Sequence, residues 1–178
     1  MKSNIHSRYY ILLFTCLSFV SLQQVCAQDD EIKELSLTNN SMAKTSNSKK
    51  ANSNNSDRTD FHKLALGLQP SIYIENNSIK KLYGHKKPLK IVCMDVNSFS
   101  LLLQTISSHR NVDILEINLK TQNDLNTNLD LSDNEEIGHL KYIYVKSNFK
   151  ITEAQMKNFI MLSPGSGIRV FYKTEIPS

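Results

Sequence analysis

Four apolar segments in the second half of this 178-residue chain constrain its fold most. They begin near Leu89, Val112, Leu140 and Ile168, so their starts lie 23, 28 and 28 residues apart. Short apolar segments that are rich in β-branched and aromatic residues are typical of buried strands. The spacing leaves room for a helix or a long connection between strands, as in β-α units. The pattern therefore predicts a small single α/β domain with a parallel sheet.

Helix and turn signals fill the spaces between and before these strands. Phe99–Ile106 carries apolar residues at helical spacing, and Thr152–Gln155 is a capping box that should begin a second helix. Ser163–Gly165 has the residues that stop a helix. Upstream, Ser71–Glu75 and Ile79–Tyr83 have the pattern of two strands joined by a short polar turn.

The first 27 residues have the plan of a secretory signal peptide. Lys2 and Arg8 make the N-terminal region positively charged, and the following residues, Tyr9–Leu22, are apolar. Val25–Ala27 ends in the small-residue pattern of a cleavage site. The apolar run is shorter than the roughly 20 residues that a membrane-spanning helix needs. We expect a bacterial protein, periplasmic or secreted, with no transmembrane span in the mature chain. The alternatives are a single-pass anchor and a lipid attached at Cys26.

An Asn- and Ser-rich stretch separates this signal from the apolar part of the chain. Residues 39–58 contain six Asn and five Ser but only three apolar residues. Such a segment buries too little surface to offset the entropy lost on ordering. The sequence therefore predicts residues 1–27 as signal peptide, 28–60 as a disordered linker and 61–178 as the folded domain.

Charge and cysteine content exclude several classes of protein. The chain has 21 Lys and Arg against 17 Asp and Glu, and this net charge of +4 is too weak to indicate a nucleic-acid partner. Removal of the signal peptide leaves Cys93 without another cysteine, which excludes an internal disulfide. Because Cys93 lies in an apolar segment, we expect a small buried side chain rather than a nucleophile.

Two segments fit the pattern L-x-x-L-x-L-x-x-N, with other apolar residues at some leucine positions. They are Leu89–Asn97 and Leu140–Asn148, and the segment that begins at Val112 fits except that Lys120 replaces the Asn. Over residues 88–173 the chain resembles leucine-rich-repeat proteins. That resemblance implies parallel strands in chain order and an interaction surface on the sheet. The spacing is equally compatible with an ordinary open α/β sheet.

Residues that flank the inward-facing strand positions form the predicted ligand face. Exposed tyrosines and charged groups on adjacent strands make a plausible recognition surface. The predicted residues are Asp95, Glu116, Asn118, Tyr142, Tyr144 and Lys146.

A rival function rests on the Asp/Asn-rich segment 124–135. Oxygen-bearing side chains fall at the positions of an EF-hand calcium loop, but Leu129 replaces its turn glycine and a strand replaces its first helix. A calcium-binding or catalytic envelope protein is therefore the alternative, and otherwise no cofactor is predicted. The candidate metal ligands are Asp124, Asn126, Asn128, Asp130 and Glu135.

Five lysines at positions 80, 81, 86, 87 and 90 surround His85. They indicate either a surface for an anionic partner or solvated lysines that keep an edge strand from pairing with another sheet. The histidines have no zinc-site spacing, and no catalytic residue is predicted. We therefore expect a non-enzymatic interaction module that binds an unknown protein or envelope component. A small accessory domain that pairs with its own copy is a further alternative.

Overall fold

The computed structural model describes residues 32–35, 52–132, 137 and 139–175, with side chains described from residue 58 in the second range. The strands are β1 (Ile32–Glu34), β2 (Ser71–Glu75), β3 (Ser78–Tyr83), β4 (Lys90–Cys93), β5 (Ile114–Leu119), β6 (Leu129–Leu131), β7 (Tyr142–Ser147), β8 (Ile160–Leu162) and β9 (Arg169–Thr174). The α-helices are α1 (Asn52–Leu66), α2 (Phe99–Ser108) and α3 (Glu153–Phe159), with 3-10 turns at Val96–Ser98 and Gln122–Asn126.

Seven of these strands form one sheet in the order β1-β9-β7-β5-β4-β2-β3. Neighbouring strands are parallel except for the antiparallel hairpin of β2 and β3. The predicted small α/β domain with a parallel sheet is therefore confirmed. β4, β5, β7 and β9 lie side by side in chain order. Stacked β-α units of many kinds have this order, so the resemblance to leucine-rich repeats stays a prediction.

The two faces of the sheet carry different helices. Phe99, Leu102 and Ile106 of α2 and Met156 and Phe159 of α3 pack on the first face, in the main apolar core. That core includes the strand residues Ile72, Ile74, Ile91, Cys93, Leu115, Ile117, Ile143, Val145 and Val170. On the second face Phe61, Leu64 and Ala65 of α1 cover Ile114, Tyr142 and Tyr144. Because side chains alternate along a strand, these two sets occupy alternate positions.

The predicted hairpin and helix starts are confirmed. Asn76 and Asn77 have φ of 50° and 52°, the left-handed conformation that a tight hairpin turn needs and that Asn tolerates. Thr152 and Gln155 form the predicted capping box, and Thr152 Oγ1 accepts from the Gln155 amide at 3.3 Å. The helix that begins there ends at Phe159 rather than at Ser163–Gly165, because Ile160–Leu162 pairs with Leu129–Leu131 as a small parallel sheet.

Two segments of the predicted 28–60 linker belong to the fold. β1 pairs with β9, and α1 begins at Asn52, well before the expected domain start at 61. The buried residues Phe61 and Leu64 anchor α1, and helical hydrogen bonding extends from them towards the N-terminus. The signal peptide and the rest of the linker lie outside the described residues and stay predictions. Among the helices of the described chain, none combines the length and apolar character that a bilayer crossing requires.

Candidate functional site

A network of three charged side chains lies on the α1 side of the sheet. Glu116 on β5 contacts Lys90 Nζ on β4 through Oε2 at 2.5 Å and Lys146 Nζ on β7 through Oε1 at 2.6 Å. The strand register pairs Lys90 with Ile114 and Lys146 with Asn118, so both lysines reach Glu116 diagonally. Glu116 is 4% exposed. One buried carboxylate therefore holds together three adjacent strands.

Lys90 also fixes the end of α1. Its Nζ donates to the Ala65 carbonyl at 2.9 Å, in the last turn of the helix. The last carbonyls of a helix lack intrahelical donors and carry the negative end of the helix dipole, so a cation is favourable there. The sequence predicts Lys90 as one of five surface lysines, but the structure buries it at 8% exposure. The sequence could not place it because Ala65 and Glu116 meet it only in the folded sheet.

Five of the six predicted ligand-face residues lie on this same side of the sheet, but its two tyrosines are buried. Phe61 of α1 meets the rings of Tyr142 and Tyr144 edge-on, with centroids 5.6 and 5.5 Å apart. Burial, with smaller contributions from Glu175 and Glu116, raises the pKa of Tyr144 to about 12. The predicted exposure of Tyr142 and Tyr144 is therefore wrong, because Phe61 covers them from α1, a helix that the sequence did not predict and that begins within the predicted linker.

The remaining residues of the predicted ligand face contact other groups of the protein. Asn118 is half-buried, and its Nδ2 lies 3.2 Å from Met94 Sδ. Lys146 keeps 29% of its side chain exposed. Asp95 stands apart in the loop after β4, where its carboxylate accepts from the Asn76 amide at 2.8 Å and from Ser98 Oγ at 3.0 Å. The structure thus leaves Asp95, Asn118 and Lys146 partly open to solvent, while Glu116, Tyr142 and Tyr144 are buried. Ligand binding at this face stays a prediction.

An open cavity of about 670 Å³ lies beside Lys90, between the end of α1 and the β2–β3 hairpin. Its volume falls within the roughly 300–1,000 Å³ that is usual for ligand pockets. We call this cavity the hairpin pocket. Its lining residues are Gly67, Leu68, Gln69, Pro70, Ser71, Tyr73, Tyr83, Gly84, His85, Lys86 and Lys90.

Two glycines determine the shape of the hairpin pocket. A Cβ on Gly67 would lie 2.3 Å from the Lys63 carbonyl oxygen, so a side chain cannot fit at the end of α1. Gly84 has φ of +88°, and a Cβ there would lie 3.2 Å from Pro70 Cβ. Glycine alone adopts such a φ freely. The chain can therefore bring the segment after β3 against the segment before β2, and these two segments form opposite walls.

The lining of the hairpin pocket includes an aromatic pair with a cation beside it. The rings of Tyr73 and Tyr83 meet edge-on at 5.3 Å, and Lys81 Nζ lies 4.1 Å from the centroid of the Tyr83 ring. Leu68 is fully exposed to solvent. Aromatic faces attract cations and stack on flat apolar groups, while the nearby ammonium groups favour an anion. The lysine cluster is visible in the sequence. The contact between Tyr73 and Tyr83 is not, because it depends on the register of the hairpin.

Cys93 lies on the other face of the sheet and cannot serve the hairpin pocket. It is fully buried in the core beneath α2, as predicted. Burial raises the pKa of its thiol to about 12, so the reactive thiolate is suppressed.

Two of the predicted calcium ligands, Asp124 and Asp130, bind donors within their own loop. Asp124 Oδ2 accepts from the Lys120 amide at 2.7 Å and from the Thr121 amide at 3.1 Å. Burial acts to raise the pKa of Asp124, but these amide donors outweigh it and the pKa is lowered. Asp130 Oδ1 accepts from the Ser132 amide and hydroxyl. No cluster of potential metal ligands occurs among the described residues, which omit Glu135, and calcium binding stays a prediction.

Comparisons of the chain with protein-family models, with curated proteins and with solved structures give no match.

Proposed function

We propose that this protein is an exported, non-enzymatic binding module of the bacterial cell envelope, periplasmic or secreted, and that the hairpin pocket is its binding site. One observation carries the proposal. Tyr73, Tyr83 and the exposed Leu68 line an open cavity whose rim carries Lys86 and His85. An organic anion with a flat apolar body fits this combination of aromatic surface and the Lys86 ammonium group.

The lining favours an anionic ligand over a cationic one. None of the eleven lining residues, all within the described chain, is Asp or Glu. The buried carboxylate nearest to the pocket, Glu116, is already in contact with two lysines. A carboxylate or similar group at the rim would therefore meet uncompensated positive charge.

The contacts of the reactive groups support binding rather than catalysis. Lys90 Nζ is held between Glu116 and the Ala65 carbonyl, which leaves this amine engaged on both sides. The Cys93 thiol is buried on the opposite face of the sheet. Nucleophilic catalysis requires an accessible nucleophile and an adjacent base, and neither group meets that requirement.

The binding site can be tested with a small aromatic anion, 2-naphthoate, as the probe. We expect amide NMR shifts to concentrate at residues 67–73 and 83–86. Tyr83→Ala should weaken binding roughly threefold to tenfold through loss of the aromatic contact. Leu82→Ala is the matched control, because Leu82 is exposed on the same strand but lies on the opposite face. Shifts centred on Asn118 and Lys146, or equal binding by Tyr83→Ala, would contradict the site.

The export part of the proposal needs a separate experiment in a Gram-negative host. We expect the mature protein in the periplasm or the medium with Gln28 as its first residue. A product with a lipid on Cys26 would show the lipid-anchored alternative, and an uncleaved membrane-bound product the anchored one. Retention of the full-length chain in the cytoplasm would overturn export.

A further inference from the structure

β3 is a free edge of the main sheet. It pairs with β2, and no other strand of the described chain lies along its outer side. All of its residues after Ser78 are exposed. A strand edge of this kind presents unpaired amide and carbonyl groups that can bind an extended peptide by strand addition.

Large apolar side chains occur on both faces of this edge. Ile79, Leu82 and Tyr83 are 48%, 67% and 47% exposed. The register pairs Tyr83 with Ser71 and Leu82 with Ile72, so Tyr83 faces the hairpin pocket and Leu82 faces the α2 side. An added strand would therefore find an apolar neighbour for its side chains on each face.

The charge of the edge determines which peptide it suits. Between Ser78 and Lys87 the chain has four lysines and no acidic residue. Two copies of β3 would repel each other, whereas an acidic strand would be attracted. Lysines alone would be adequate to protect an edge from aggregation. The large apolar groups beside them are not explained by protection.

We propose that β3 binds an extended acidic peptide segment of a partner protein by strand addition, with an apolar side chain of that peptide inserted beside Tyr83 in the hairpin pocket. The insertion rests on the binding function proposed above and names its partner. Main-chain hydrogen bonds to β3 supply affinity, while the lysines and the pocket supply selectivity.

The probe is an acetylated, amidated peptide of alternating glutamate and valine that spans the six residues of β3. We expect it to bind, to slow hydrogen exchange of β3 amides, and to bind more weakly as salt rises. A peptide with lysine in place of glutamate should not bind. A glutamate–valine peptide N-methylated at alternate residues, in both registers, tests the main-chain contacts. Equal binding by the lysine peptide, or by both N-methylated peptides, would overturn strand addition of an acidic segment.

Lys80→Glu tests the edge without altering the hairpin pocket. Lys80 lies at the register shift of β3 and is exposed, and its reversal should weaken peptide binding roughly threefold to tenfold. Lys150→Glu changes the net charge equally at a distant exposed site and should leave binding unchanged. Unchanged binding by Lys80→Glu, or weakening of equal size in both variants, would overturn the edge site.

Testing 2-naphthoate and the acidic peptide on the same protein separates strand addition from binding in the hairpin pocket. If 2-naphthoate binds but the acidic peptide does not, strand addition is wrong and the pocket stands. If neither binds, both are wrong. If the protein alone forms larger species as its concentration rises, and Lys80→Glu prevents them, a second copy occupies β3 and the acidic-peptide partner is wrong.

Discussion

Glu116 balances two lysines with a single carboxylate inside the sheet. The side chains of Glu116 and Lys90 are 6% and 10% exposed, so neither charge is well solvated. A buried ion pair gains less than its attraction indicates, because both ions lose hydration. Breaking one is nevertheless costly, since the remaining ion stays buried without a counter-charge. The network is therefore a point of high sensitivity in this fold.

Glu116→Gln should lower the free energy of unfolding by about 3–5 kcal/mol, because it leaves the buried Lys90 ammonium without its counter-ion. Urea denaturation measures this change. Glu153→Gln is the control, since its ion pair with Lys157 is more than half exposed on both sides and should contribute about 0.5 kcal/mol or less. Replacing Lys90 by Met and Glu116 by Leu together should recover part of the loss. Equal effects of Glu116→Gln and Glu153→Gln would show that the network is solvated.

Gly84→Ala should destabilise the hairpin pocket through both its backbone and its contacts. A left-handed backbone costs alanine roughly 1–2 kcal/mol, and the new Cβ must also press on Pro70. Gly165→Ala isolates the backbone part, because Gly165 has φ of +76° but a Cβ added there would meet no atom within 4 Å. We expect a larger loss of unfolding free energy for Gly84→Ala. Equal losses would mean that Pro70 moves away freely.

At the scale of elements, Asp95 and Ser98 tie the β2–β3 hairpin to the start of α2. Asp95 accepts from the Asn76 amide at 2.8 Å, and Ser98 Oγ accepts from the Asn77 amide at 2.8 Å. The Ser98 hydroxyl in turn donates to Asp95. Both turn residues that adopt left-handed backbone are thereby held by the segment after β4.

Asp95→Ala should free this turn. Hydrogen bonds to a charged group contribute about 1.5–3 kcal/mol, and the loss should appear as faster hydrogen exchange at the Asn76 amide. Asp113→Ala removes another partly exposed carboxylate, which pairs with Lys141, and it should leave exchange at Asn76 unchanged. If Asp95→Ala also leaves that exchange unchanged, water replaces the carboxylate without penalty.

The sequence predicts those structural elements that are determined by residues a few positions away. The left-handed turn at Asn76 and Asn77 and the capping box at Thr152 depend on neighbours a few residues away, and both are predictable. The end of α3 is not, because Ile160–Leu162 has its strand partner at Leu129–Leu131. Non-local pairing overrides local stop signals in such cases.

The candidate site is predictable only in part, for the same reason. Alternation along the strands places Glu116, Asn118 and Lys146 on one face, and the structure brings Glu116 and Lys146 into contact. The predicted exposure of Tyr142 and Tyr144 is wrong because Phe61 covers them from α1, most of which lies in the expected linker. The hairpin pocket needs the register of β2 on β3, which no composition or spacing reveals.

At the scale of the whole molecule, groups with shifted pKa values set the pH limits between which the folded state is most stable. The donors around Asp124 outweigh its burial and lower its pKa, and the Lys173 ammonium lowers the pKa of Glu175. A lowered pKa in the folded state gives stability that is lost as pH falls through it. The raised values of Cys93 and Tyr144 act in the opposite direction, because the folded state keeps protons that the unfolded state releases.

The free energy of unfolding should therefore be nearly constant from about pH 5 to pH 8 and fall on both sides. On the alkaline side the fall should begin near 9.0, the ordinary pKa of the Cys93 thiol, and continue towards about 12. Urea denaturation across pH measures the profile. Cys93→Ala should move the start of the alkaline fall towards 10.0, where unfolded tyrosine titrates. An unchanged profile in Cys93→Ala would show that the thiol does not contribute.

The pairing of β1 with β9 joins Ile32 to Val170, near opposite ends of the described chain. The other parallel pairs of this sheet join strands that lie closer together in the sequence, namely β2 with β4, β4 with β5, β5 with β7 and β7 with β9. As the chain emerges from its N-terminus to its C-terminus, β1 is the first of the described strands to appear and waits longest for its partner. β2, β4, β5 and β7 can assemble in the order in which they emerge, whereas closing the loop between β1 and β9 carries the greatest entropy cost. Completion of the sheet at that edge therefore requires β9, the last strand of the described residues.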